Sequence, residues 1–158
     1  MAILRSTGLK NAMQEAGGVS LADAMANGVL YLYSGTKPTN ADTTEGTAVA
    51  LHIFTVGGLA FTPGVAANGL NFSLSTDGYL YKAAAEDWIS VAPSFGASPL
   101  TATWARFYDN ARTLGDSTTA IRFDLTVGSS AAFDINLRST IIYPGDELKF
   151  NSFRITGP

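Results

Sequence analysis

Two hydrophobic periods divide the chain. In the first 28 residues, Leu9, Ala12, Met13 and Ala16 recur at helical spacing along one face of a short helix, which Gly17-Gly18 ends. Ser20, followed three positions later by Asp23, reads as a capping-box start for a second helix. Leu21, Ala24 and Met25 are its apolar face and Gly28 its stop. Each helix spans about two turns, too short to stand alone in water. Both must therefore dock on the body behind them or on a partner. The pattern predicts a helical N-terminal arm over 1–28 and a β domain over 29–158.

From Val29 the period becomes two. Val29-Leu30-Tyr31-Leu32-Tyr33 is rich in strand formers and is closed by Ser34-Gly35. Thr36 to Thr47 holds Lys37-Pro38 and a cap-like pair, Asp42 with Glu45, and reads as a loop with room for one helical turn. Val49, Leu51 and Ile53 mark a strand with His52 on the opposite parity. Phe61-Thr62-Pro63-Gly64 marks a turn, and Leu70, Phe72 and Leu74 then alternate with polar residues. Thr76-Asp77-Gly78 leads tightly into Tyr79-Leu80-Tyr81.

The second half alternates more strictly. Trp104 to Tyr108 is a strand, and Asp109 to Ser117 a polar loop. Ile121, Phe123, Leu125 and Val127 alternate with Arg122, Asp124 and Thr126; Phe133, Ile135 and Leu137 alternate with Asp134, Asn136 and Arg138. Such alternation sets one face on a core and the other in solvent or on a partner. Tyr143-Pro144-Gly145-Asp146 has the residue order of a type II turn. Leu148 and Phe150 share one parity and Phe153 and Ile155 the other, which predicts a bulge near Asn151-Ser152.

Roughly eight short strands, with turn signals and no βαβ rhythm or fixed repeat, predict an all-β antiparallel sandwich, immunoglobulin-like or jelly roll. A closed barrel is the alternative. At 158 residues the chain is the size of one domain and buries enough surface to need no covalent staple.

Composition narrows the function. Charged residues are 15% of the chain, against about 25% on average, with small polar residues in their place. The net charge of −3, with basic residues scattered singly, offers no footprint for nucleic acid. Apolar stretches such as Ala48 to Phe54 fall far short of the ~20 residues of a membrane span. The N-terminus has no long apolar run of a secretory signal, so synthesis in the cytosol is expected. With no cysteine there is neither a disulfide framework nor a thiolate metal site.

Candidate chemistry is sparse. His52, the single histidine, reads as a strand residue facing solvent or filling a polar slot. A Ser-His-Asp triad would need partners brought from afar, and Gly115-Asp116-Ser117 only echoes an esterase block. Glu86-Asp87 are adjacent carboxylates, and neighbours on a strand point to opposite faces, so they belong in a short helix or loop. Trp88 and Trp104 are core or interface aromatics, with sugar stacking as the alternative. Asp109-Asn110 and Asp116 frame a loop of the kind that turns use with or without an ion. No cofactor and no catalytic residue is expected.

Val29 to Glu45 and Ala120 to Pro158 carry a further pattern. A strand ends in Tyr33-Ser34-Gly35 and runs through a proline-containing loop into Asn40-Ala41-Asp42 and Gly46-Thr47. Phe123-Asp124-Leu125-Thr126-Val127-Gly128 precedes Leu137-Arg138-Ser139-Thr140-Ile141, then Pro144-Gly145-Asp146 and Ser152-Phe153-Arg154-Ile155-Thr156. With the opening Gly8-Leu9-Lys10-Asn11-Ala12, this resembles small virion structural proteins of tailed bacteriophages. The resemblance covers over half the chain through strand-and-turn signatures and carries no catalytic residues. It implies a capsid cement (decoration) protein bound to the major capsid protein in the virion, working as a homodimer or homotrimer. A neck, tail or fibre component, with a receptor- or carbohydrate-binding role at Trp88, Tyr79 and Tyr81, is the alternative; a depolymerase is a third reading. The residues expected to meet a partner are Leu9, Met13 and Met25 on the arm and Lys37, Asp42 and Glu45 on the loop.

Overall fold

The computed structural model describes residues 3–74 and 77–156. In chain order these form β1 (Leu4–Arg5), α1 (Thr7–Gln14), α2 (Leu21–Ala24), β2 (Val29–Ser34) and β3 (Val49–Val56). Next come β4 (Phe72–Leu74), β5 (Tyr79–Lys82), β6 (Trp88–Val91), β7 (Leu100–Thr101) and β8 (Trp104–Tyr108). The last are β9 (Arg122–Gly128), β10 (Ile135–Asn136), β11 (Ile141–Ile142), β12 (Glu147–Phe150) and β13 (Arg154–Thr156). Ser75 and Thr76, within or beside the expected Thr76-Asp77-Gly78 turn, lie outside the described residues.

The fold is all-β and sandwich-like. One eight-stranded sheet runs β1-β9-β8-β2-β3-β6-β12, with β10 lying parallel against β9. A three-stranded sheet, β13-β5-β4, and a β7-β11 pair complete it. One core joins the layers: Leu30 and Leu32 from β2, Phe54 from β3, Trp88 from β6, Leu80 from β5 and Ile155 from β13 all bury into it. Within it, Phe107 and Phe123 face each other across β8 and β9 with their rings stacked at 5.4 Å, a cross-strand pair of the kind that fixes sheet register.

The arm belongs to this domain, which removes the expected boundary at residue 28. β1 pairs antiparallel with β9, and Leu9, Leu21 and Met25 sit in the same core as the sheet residues. Ser6 caps α1 by accepting from the Leu9 N–H and anchors it by donating to the Ala120 carbonyl at 2.7 Å. A side chain at Gly8 would lie 2.3 Å from the Thr119 carbonyl oxygen, so only glycine lets α1 lie this close to the sheet. Ser20 caps α2 as expected, its Oγ accepting from the Asp23 N–H and donating to the Asp23 carboxylate. Gly28 is not the helix stop. α2 ends at Ala24, and Gly28 already bridges to Leu70, where a Cβ would strike the Phe107 ring.

Turn chemistry was legible. Gly64 and Gly145 both take positive φ, with Val65 donating to the Thr62 carbonyl and Asp146 to the Tyr143 carbonyl. Two parity readings need correction. Asn151-Ser152 is not a bulge inside one strand: β12 pairs with β6 in the large sheet, whereas β13 pairs with β5 in the small one. The slip of parity is the chain changing layers. In β3 the register shifts between Leu32 and Tyr33, which pair with His52 and Ala50 and leave Leu51 as the extra residue. That bulge turns His52 onto the core side with Leu51 and Phe54.

Candidate functional site

β9 carries Arg122 and Asp124 on the parity that alternation assigned to solvent or a partner. Both are buried, as is Arg106 opposite Asp124 on β8. The far face of the central sheet is therefore a second interior. Val29, Tyr31 and Tyr33 of β2 and Trp104 and Tyr108 of β8 form its apolar part, with Tyr33 stacked on Trp104 at 4.4 Å. This explains why β2 and β8 are buried on both parities.

Buried charges organise the rest. Arg106 grips Asp124 through two parallel bonds, Nε to Oδ1 at 2.5 Å and Nη2 to Oδ2 at 2.8 Å, the bidentate geometry that guanidinium and carboxylate favour. Its Nη1 donates to Glu45 at 2.9 Å, and the same Glu45 oxygen accepts from the Tyr108 hydroxyl at 2.5 Å. Tyr108 in turn meets the Tyr33 hydroxyl at 2.9 Å. Arg122 spends its guanidinium on main chain, donating to the carbonyls of Ala41, Asp42, Thr43, Thr113 and Gly115. Two loops, between β2 and β3 and between β8 and β9, are thereby fastened to one arginine.

The electrostatics follow from burial and pairing. Burial opposes the charge on Arg106, but the Asp124 carboxylate outweighs it and pushes the guanidinium pKa up. Burial also raises the Asp124 carboxyl against the pull of Arg106; the bidentate contact keeps the pair ionised at neutral pH. For Glu45, burial is outweighed by the Tyr108 hydrogen bond and by Arg106, so its carboxyl falls below the ordinary range. Burial drives both Tyr33 and Tyr108 far above a normal phenol. The hydroxyls therefore stay protonated, and the network acts as a clamp.

The second polar centre is His52. Its Nδ1 lies 3.0 Å from the Ser90 hydroxyl, which also accepts the Ile53 N–H at 2.9 Å. Nδ1 and the Ser90 hydroxyl thus share one hydrogen bond, while Nε2 has no partner among the described residues. Burial lowers the imidazole pKa from 6.5 to about 4, partly opposed by the charge of Asp146. Serine and histidine are brought together with no aspartate hydrogen-bonded to the ring among the described residues, and His52 and Ser90 are 0% and 2% exposed. No substrate reaches them in this conformation. His52 fills the polar slot; it does not face solvent.

The six expected contact residues separate. Leu9 and Met25 are fully buried in the core, so neither can meet a partner. Asp42 and Glu45 are consumed internally: Asp42 accepts from the Thr7 N–H at 2.7 Å and the Thr7 hydroxyl at 2.6 Å. No helical turn forms at Asp42; it serves the N-terminus of α1, where a carboxylate complements the helix dipole. Met13 and Lys37 remain half-exposed. Replacing Asp42 by alanine is expected to cost about 1–2 kcal/mol, read as a lower urea midpoint with unchanged slope; no shift would show that the loop is held by Arg122 alone.

The other candidates are also absorbed. Trp88 and Trp104 are completely buried, and Trp88 donates its indole N–H to Glu86 at 2.8 Å. The groove of Trp88 with Tyr79 and Tyr81 does not form. Asp87, in a turn beside Glu86, pairs with Lys149 at 2.7 Å. Asp116 accepts from the Thr44 N–H, and Asn110 ties Asn27 to Val65. Among the described residues no three histidine, aspartate or glutamate side chains converge as a metal site would require, and no helix is long and apolar enough to cross a membrane.

The clamp is what sequence reasoning missed. Its available signal was Arg106 and Asp124 on neighbouring strands, both beside long polar loops. No protein-family model, curated protein or solved structure matches the chain.

Proposed function

We propose that this protein is a structural component of a tailed-bacteriophage particle, a cement or decoration protein that binds the shell of the major capsid protein. One observation supports this reading above others: the arm and both long loops are fastened to the sheet before a partner arrives. Arg122 alone holds five loop carbonyls, and Asp42 ties the loop to α1. A body already ordered loses little conformational entropy when it bridges neighbouring subunits, so more of the contact energy appears as affinity. Apolar side chains on its outside, Leu59, Val91 and Ile141 among them, supply surface for such contacts or for a closed homo-oligomer.

A second reading rests on the small sheet. The Tyr79 and Tyr81 rings lie 6.3 Å apart, with Arg154 over Tyr79 at 4.9 Å. Paired half-exposed aromatics beside charged groups suit a sugar face, as a tail or fibre component would need.

Purified protein added to expanded capsids that lack it is expected to bind saturably and raise the temperature at which the shell disrupts. Binding to a glycan array without binding to capsids would replace this reading with the second. Deleting residues 1–28 would not test it, because that removes β1 together with Leu9, Leu21 and Met25 from the fold.

A further inference from the structure

The edge of the large sheet at β1 adjoins a basic groove. Two neighbouring cavities, of about 530 and 390 Å³, share Arg5, Lys10 and Gln14 as walls. Met13 and Val19 line one and Ile3 the other, and among the described residues no carboxylate lines either. Ile3 and Met13 rest on the main core, so the apolar floor is fixed.

The cations in this groove are unspent. Elsewhere Arg106, Arg122 and Lys149 all have acidic partners. Arg5 and Lys10 make no ion pair or side-chain hydrogen bond with any other described residue. Arg5 Nε is moreover shielded from solvent with no acceptor, an arrangement that costs free energy until an acceptor arrives.

The main chain adds a second half to the site. β1 ends the sheet order and, among the described residues, pairs with β9 alone. The Ser6 N–H donates to the Arg122 carbonyl at 3.0 Å. By the alternation of antiparallel ladders, Arg5 then turns its own N–H and C=O away from β9, toward the open edge. The Arg5 side chain shares the face of its pair partner Phe123, the face on which α1 packs.

We propose that this groove binds an extended acidic segment of a partner protein. The segment adds as a strand along β1, sets a carboxylate on Arg5 and Lys10, and seats an apolar side chain against Met13 and Val19. Charge complementarity selects the occupant: a half-apolar slot whose charged walls are Arg5 and Lys10 attracts an acidic, partly apolar segment. The inference deepens the decoration reading by naming its contact surface, and it rests on that reading only for the partner's identity.

The test uses the full chain, isotope-labelled, titrated with the acetylated and amidated peptide Leu-Asp-Leu-Glu-Leu and with its Asn/Gln counterpart. Saturable shifts centred on Arg5, Lys10, Met13 and Val19 are expected with the acidic peptide alone. Arg5→Gln and Lys10→Gln should each weaken binding about tenfold, and added salt should weaken it further. Arg138→Gln, an equal charge change at an exposed site, should leave it unchanged. No shifts at the groove, or equal binding by the neutral peptide, would overturn the proposal. So would sedimentation showing a dimer that Arg5→Gln dissociates, which would assign the groove to a second copy. Peptide binding without capsid binding would keep the groove and remove decoration; capsid binding with no peptide binding would do the reverse.

Discussion

Replacing Asp124 by alanine is expected to destabilise the protein by about 3–5 kcal/mol, because the substitution strands a buried charge. Arg106 is fully buried on the far face of the sheet, and Asp124 supplies two of its hydrogen bonds. Glu45 and the Thr43 carbonyl hold only Nη1. Removing Asp124 leaves the Nε and Nη2 donors without acceptors in an interior that water does not reach. For a domain of this size the loss corresponds to roughly 6–20 °C in Tm. The double variant Arg106→Met with Asp124→Leu should be markedly more stable than Asp124→Ala alone. It removes the stranded charge along with its partner, and apolar replacement of a buried pair is often close to neutral. Denaturant unfolding of the singles and the double closes the cycle. A cost below about 1 kcal/mol for Asp124→Ala would mean that water enters this face and that the clamp is not one.

The same pair marks the boundary of what the sequence shows. The alternation of Phe123, Leu125 and Val127 with Arg122 and Asp124 sorted β9 correctly into two faces. It could not say what covers the polar one, because a period of two records which side chains share a face and nothing about the layer above. That layer consists of loops whose register comes from side-chain bonds over long separations, such as Arg122 to Ala41 and Thr7 to Asp42. No local pattern encodes such contacts.

Local chemistry was read where it is locally determined. The Ser6 cap was not singled out, but the Ser20 cap and the Pro-Gly turns at Gly64 and Gly145 stand where their residue types put them. His52 fills the polar slot, one of its two expected places; local pattern does not choose between slot and solvent, because the bulge at Leu51 depends on pairing with β2. β12 and β13 were read as one strand because two sheets that share a core look alike from either side of Asn151-Ser152. At the candidate site the contact residues were chosen as apolar or charged residues on arm and loop. That criterion found Met13 in the groove, but it also took in Leu9 and Met25, which the core claims.

His52 gives the second large effect, on acid stability. Its pKa falls from 6.5 to about 4 in the folded chain, chiefly because burial disfavours the charged ring. The unfolded chain takes up a proton as pH drops through about 6.5, whereas the native chain declines it until about 4. Between those values the unfolded state binds more protons, so stability rises with pH. The full contribution is present above about 6.5 and is lost progressively as pH falls toward 4, at up to about 1.4 kcal/mol per pH unit and roughly 3 kcal/mol in all. A proton taken up by the ring meets no carboxylate in hydrogen-bond contact: Nδ1 faces the neutral Ser90 hydroxyl, and Nε2 has no acceptor among the described residues. His52→Gln keeps an amide that can donate to or accept from Ser90, without a titrating group. Its unfolding free energy, measured in urea from pH 7.5 to 4.5, should fall less steeply than that of the parent by close to one proton. Carboxylates common to both chains add the same slope to each, so the difference isolates the ring. The imidazole resonances of the folded parent should titrate with a midpoint near 4. A midpoint between 6 and 7 would place His52 in contact with water and sink the argument, with it the sealed interior on the core side of β3.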